Sequence, residues 1–172
     1  MRTATLTLTL ATLLALPPAA RAQWTNDPYN GMAPVCMAPG EQAEPLVGRL
    51  ESTGYTMYFW MDYRIYQEPR SYYQVLNQSG ERQLEPDGRP VVDGPSYWYA
   101  GVTAALADGQ GGLVAVFRDA RNGEEDLYGQ RYDSLGNPMW APTGLPLVLW
   151  PRNENTIFRD FAIDSLGNVF IA

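Results

Sequence analysis

The chain has 172 residues, 45% of them hydrophobic and 12% aromatic, with 19 acidic residues against 12 basic ones and a formal net charge of −7. Every basic residue is arginine and histidine is absent, which excludes His-based catalytic triads and His metal sites; an acidic chain with no basic run also argues against nucleic acid or an anionic membrane surface as partner. The aromatic content is too high for a disordered segment.

Residues 1–22 carry Arg2, then an apolar Thr/Leu/Ala run, then small residues ending Ala20-Arg21-Ala22. That layout predicts a secretory signal peptide cleaved before Gln23. The run is too short and too threonine-rich for a membrane span, and nothing later supplies one. The remainder keeps ten arginines and all 19 acids, a net charge of −9. It is expected to be extracytoplasmic, secreted or at the cell surface. Cys36 is the single cysteine, so no intramolecular disulfide forms and stability must come from buried area and sheet pairing. Its neighbours Val35 and Met37 suggest a small apolar residue on a strand.

Residues 23–43 resemble the end of a repeat unit, with Trp24, Gly31 and Val35 in the order of Trp140, Gly144 and Val148. Two complete units follow, at 44–100 and 101–157, and a third begins at 158–172. The units are related position by position. Trp60-x-Asp62-x-Arg64 lies over Phe117-x-Asp119-x-Arg121, 57 residues on; one residue is then lost, and Gln74, Gly80, Leu84, Gly88, Pro90 and Val92 fall 56 residues before Gln130, Gly136, Trp140, Gly144, Pro146 and Val148. Self-similarity at such a period signals blades or arrays. DSLGN, at 133–137 and 164–168, recurs out of phase and is read as a reused turn, not as support for the period.

Within the second unit the residues predict four short strands. Gly101 to Ala107 is the first, followed by the turn Asp108 to Gly112, rich in the residues that reach positive φ cheaply. Leu113 to Phe117 is apolar throughout, as expected of a strand covered on both faces. After the polar turn Asp119 to Asp126, Leu127 to Tyr132 alternates and so predicts one buried face. Met139-Trp140 is expected to open the fourth strand. Outside residues 1–22 no helical period of any length occurs. Four antiparallel strands in about 56 residues, in tandem, predict an all-β fold, a partial β-propeller of four-stranded blades. A β-sandwich is the structural rival, ranked second because it would not need one unit to reproduce the other.

The pattern Trp/Phe-x-Asp-x-Arg, Tyr-x-Gln-Arg-Tyr-Asp-x-x-Gly-x-x-x-Trp and Gly-x-Pro-Leu-Val resembles the tandem propeller-like repeats of large secreted proteins of Bacteroidetes and related bacteria, which often end in a type IX secretion sorting domain. The likeness covers most of residues 23–172 and implies an exported or surface-attached protein. It implies no catalytic residue.

Asp62/Arg64 and Asp119/Arg121 occur at the same phase of each unit. Together with Trp60 and Phe117 they are therefore read as structural repeat residues, the aspartate accepting turn N–H groups and the arginine bridging to the neighbouring blade. The acidic turn Asp119 to Asp126 offers oxygen ligands to calcium, but its spacing fits no EF-hand loop and the first unit holds only Glu68 there; a solvated hairpin tip is the plainer reading, and no cofactor is implied. The triplet Tyr97-Trp98-Tyr99 has no aromatic counterpart in the next unit, where Glu154-Asn155-Thr156 falls. It is the candidate ligand-binding surface. The expected role is structural or binding, toward an extracellular protein or glycan, without enzymatic activity. The alternatives are a component of a polysaccharide-acting hydrolase or lyase, using paired carboxylates, and a scaffold self-associating through open sheet edges.

Overall fold

The computed structural model describes residues 34–65, 68–93, 101–123, 125–149, 160–164 and 166–172. Among them there is no helix. The elements are β1 (Gln42–Leu50), β2 (Tyr55–Asp62), β3 (Arg70–Leu76), β4 (Arg89–Pro90), β5 (Gly101–Ala107), β6 (Leu113–Asp119), β7 (Asp126–Tyr132), β8 (Leu145–Val148), β9 (Phe161–Ile163) and β10 (Val169–Ile171). They form two four-stranded antiparallel meanders, β1-β2-β3-β4 and β5-β6-β7-β8, and a hairpin of β9 and β10. The sheets are open.

The sequence repeat is a structural repeat. Trp60 pairs with Tyr72, and Phe117 with Tyr128, its counterpart one unit on. The first strand begins at Gln42, so the boundary expected at residue 44 falls inside a strand. The fourth strand of the second unit is Leu145–Val148 rather than one opening at Met139-Trp140. That dipeptide lies in the return segment, held by the Tyr132–Pro138 bridge and by the Met139 N–H, which donates to the Arg131 carbonyl at 2.7 Å.

Each meander has two apolar faces, and the faces meet in a fixed order. On the first sheet Met57, Phe59, Tyr73 and Val75 point toward the second sheet and pack on its Leu113, Ala115, Phe117, Tyr128 and Tyr132. The opposite face of the second sheet presents Val114 and Val116, joined by Trp140 and Leu147, and takes Phe161, Ile163, Val169 and Ile171 of the hairpin. These four hairpin residues include the counterparts of Leu113 and Ala115, at Val169 and Ile171. The packing is therefore head to tail: the front of one unit meets the back of the next, twice. Turns reinforce the first interface. Ser52 Oγ donates to the Gly111 carbonyl at 3.2 Å and Thr53 Oγ1 to the Ser134 carbonyl at 2.8 Å.

β6 is buried on both faces, as its unbroken apolar run requires. β7 is too, which corrects the expectation of a single buried face. The polar residue that suggested otherwise, Gln130, is fully buried with its amide satisfied: Nε2 donates to the Ala141 carbonyl at 2.8 Å and Oε1 accepts the Trp140 N–H at 2.9 Å. Gln74 makes the same two bonds, to the Glu85 carbonyl and the Leu84 N–H, 11 and 10 residues along. A buried amide costs free energy only when its groups go unmade, and here each glutamine staples the return segment to the third strand.

Gly144 shows how tightly that segment lies. At φ 73° an added Cβ would sit 2.7 Å from the Gly129 carbonyl oxygen and 2.9 Å from Phe117 Cζ, whereas at Gly80, φ 77°, it would meet nothing within 4 Å. Gly144→Ala is expected to destabilise by about 2–3 kcal/mol, a backbone and a packing cost together, and Gly80→Ala by about 1 kcal/mol, the left-handed backbone cost alone; equal effects in urea melts would contradict this packing. The Tyr132 hydroxyl is buried between the sheets without a hydrogen-bond partner among the described residues. Tyr132→Phe should therefore leave stability unchanged or raise it by about 1 kcal/mol, and a loss would reveal a partner for the hydroxyl.

Candidate functional site

Where β2 ends, Asp62 is the last residue of the strand and Arg64 stands in the turn that follows. The carboxylate is buried. Its Oδ1 accepts the Arg64 backbone N–H at 2.9 Å and Arg64 Nε at 2.8 Å, while Oδ2 takes Arg64 Nη2 at 2.7 Å and Trp60 Nε1 at 2.9 Å. The guanidinium also donates to the Asp87 carbonyl at 2.9 Å and lies 4.0 Å above the Tyr72 ring. One side chain thus ties together the turn after β2, the face of β3 and the loop before β4. Planar, bidentate and stacked, the arrangement suits arginine and not lysine.

The second unit repeats it. Asp119 Oδ1 accepts the Arg121 N–H at 2.8 Å, Oδ2 takes Arg121 Nη2 at 2.6 Å, Nη1 donates to the Thr143 carbonyl at 2.8 Å, and the guanidinium lies 4.0 Å above Tyr128. Tyr72 and Tyr128 correspond, as do Asp87 and Thr143. Trp60 stacks on Tyr72 at 6.3 Å and Phe117 on Tyr128 at 6.1 Å between centroids. All six residues singled out as structural repeat positions, Trp60, Asp62, Arg64, Phe117, Asp119 and Arg121, are thus brought together as two matching clusters. One part of the expectation differs: among the described residues the bonds of the two arginines go to their own unit and, for Arg64, to Cys36, not to a neighbouring sheet. Arg121 spends its donors within its own unit, on Asp119 and on the Thr143 carbonyl before β8.

Sequence reasoning missed the tyrosine beneath each arginine and the stapling glutamines. Both stand at matched positions of the two units, a signal that was present but carries no chemistry until the strands are paired. Cys36 lies outside any strand and is not in an apolar setting, another correction. Its Sγ accepts the Ala38 N–H at 3.3 Å and lies 3.9 Å from Arg64 Nη2 and 4.0 Å from Asp62 Oδ2. The segment at 34–40 lies against the first cluster, with Cys36 beside the Asp62/Arg64 pair and Gly40 close to the Arg64 backbone.

No family model, curated protein or solved structure matches the chain. Tyr97, Trp98 and Tyr99, the candidate ligand-binding triplet, lie outside the described residues. In the acidic turn Asp119 is committed to Arg121, and Asn122 Nδ2 donates to the Tyr128 hydroxyl at 2.9 Å. Among the described residues no group of three or more Asp, Glu, Cys or His side chains is placed to hold a metal ion, and no helix is long and apolar enough to cross a membrane.

Burial raises the Asp62 carboxyl, but the hydrogen bonds from Arg64 and Trp60 outweigh it and hold the group below its ordinary value. Burial likewise raises Asp108, and the N–H groups of Gln110 and Gly112 with the Arg131 guanidinium bring it below. A carboxyl whose value is lowered by folding stabilises the folded state above its unfolded pKa and loses that contribution as pH falls through the lowered one. The melting temperature should therefore be level from pH 7 to about 5 and fall below about pH 4. Asp62→Asn should flatten that acid limb and cost about 2–3 kcal/mol at pH 7, since Arg64 is left without its counter-charge; an unchanged limb would show that the cluster does not stabilise the fold.

Proposed function

We propose that the chain is an exported repeat protein, secreted or held at the cell surface, whose meanders are blades of a β-propeller or a related array and whose role is structural or binding rather than catalytic. One observation carries the reading. The charged residues that would be first choice for a reactive site, Asp62/Arg64 and Asp119/Arg121, share two bonds at the same phase of two units: in each, Oδ1 accepts the arginine backbone N–H and Oδ2 accepts from Nη2. A reacting centre is built once; a brace is built in every unit. With those groups occupied in holding turns, specificity falls to what breaks the repeat, and the aromatic triplet Tyr97-Trp98-Tyr99 is the stretch that does so. Flat aromatic faces with polar tips suit stacking on sugar rings or packing against a protein surface.

The layout of residues 1–22 supports export. The head-to-tail order of the units supports a propeller-like array, because blades of a propeller share one sheet design and each covers the next. The likeness of the repeat pattern to secreted bacterial repeat proteins points the same way.

The full chain, applied to a glycan array and used as bait against surface and extracellular proteins, is expected to retain a ligand. The triple variant Tyr97→Ala, Trp98→Ala, Tyr99→Ala should weaken retention at least ~tenfold while its melting temperature stays within a few degrees of the parent. Retention unaffected by the triple variant would remove the triplet from the binding surface. Turnover of plant or algal polysaccharides by the full chain would overturn the non-catalytic assignment.

A further inference from the structure

Both internal interfaces obey one rule, and the rule identifies what fits the uncovered back of the first sheet. At the first interface the back of the second sheet is shut: Leu113, Ala115 and Phe117 are fully buried and Tyr128 nearly so. The matching positions of the first sheet are Thr56, Tyr58, Trp60 and Tyr72. Trp60 is covered, by Tyr72 and the Gly88 turn, and the Arg64 guanidinium lies on one face of Tyr72, but Tyr58 and Tyr72 remain partly exposed and Val47, the counterpart of Ala105, is 55% exposed. At the other end of the row, the hairpin of β9 and β10 turns Phe170 and Ala162 outward. Phe170, the counterpart of Val114, is 56% exposed where Val114 is 1%. The molecule thus shows an apolar, aromatic back and an apolar front, each built like a face that is buried elsewhere in the same chain.

We propose that the Val47/Tyr58/Tyr72 face is a docking surface for the front of a second copy of this chain, so that molecules associate head to tail. The occupant follows from continuity with the internal interfaces: among the described residues, the backs of the second sheet and of the hairpin each accept the front of the unit before. Neither contact pairs two backs or two fronts. The association is heterologous, and it extends into open chains or closes into a ring according to the rotation per unit. It holds whether or not the sheets belong to a propeller, and whether or not the protein binds a further ligand.

The register is specific. Across the first interface Gly48 faces Ala105, an added Gly48 Cβ lying 3.0 Å from the Ala105 Cβ. The counterpart of Gly48 in the hairpin is Ala162, which pairs with Phe170, and the counterpart of Ala105 in the first sheet is Val47, which pairs with Tyr58. Ala162 of one molecule should therefore come within disulfide reach of Val47 of the next.

Two full-length variants, Val47→Cys and Ala162→Cys, both at exposed positions, are mixed under mild oxidation and the links mapped by peptide analysis, so that bonds through Cys36 are recognised. The expected product is a disulfide between residue 47 of one chain and residue 162 of the other, with little of either symmetric dimer. Sedimentation of the unmodified full chain should show concentration-dependent association, weakened at least ~100-fold by Val47→Glu or Phe170→Glu, each of which buries an unpaired charge if the faces meet. A predominance of 47–47 or 162–162 links would overturn head-to-tail docking. A monomer at every concentration would overturn docking of a second copy altogether; shielding of Val47→Cys from a thiol reagent in that monomer would assign the face to the chain's own residues 1–33, and free reaction would leave it uncovered.

Discussion

A four-stranded meander of this length has two apolar faces and cannot cover either by itself. That constraint governs the rest of the structure. The first sheet turns Met57, Phe59, Tyr73 and Val75 onto the second, and the second turns Val114 and Val116 onto the hairpin. β6 can be apolar throughout because it stands in the middle of the row. The burial that holds the fold together is therefore between units as much as within them, and each unit takes its stability from its neighbours, as in other stacked repeats.

Polar devices add to the apolar faces; two of them are duplicated and act within a unit, and the third acts between the sheets. The Asp–Arg–Tyr cluster ties the second and third strands to the loop before the fourth; the buried glutamine ties the third strand to the return segment; Ser52 and Thr53 hook the first sheet's turn onto two turns of the second. The buried charges are tolerable because each carboxylate is met by several donors at once. Turn chemistry is reused as freely. Asp133 and Asp164, at different phases of the unit, each accept two backbone N–H groups, from the residues two and four positions on, and a bond from the asparagine side chain four residues on.

Much of this was legible in the sequence. The match of Trp60, Asp62 and Arg64 with Phe117, Asp119 and Arg121 gave the unit, and the apolar run from Leu113 gave a strand covered on both sides. Other features were hidden for physical reasons. The alternation in β7 reads as a half-exposed strand because a polar letter is taken to face water, yet Gln130 faces backbone groups that only the folded return segment supplies. The start of β8 was misplaced because Met139 and Trp140 look like strand residues, while what pins them is a bridge to Tyr132 and the glutamine amide. The arginine's acceptor, a carbonyl more than 20 residues away, leaves no mark in the sequence at all. Nor does a repeat reveal which face of one copy will lie on which face of the next.

The front-to-back order has a bearing on how such a gene can change. When every junction is made from the same two surfaces, unequal crossing-over between copies, adding or deleting one whole module, creates no junction of a new kind. The inserted module meets its neighbours through surfaces already selected to fit. Length then becomes a heritable variable largely uncoupled from foldability, and point changes at junction positions are the ones that lock a given order in place.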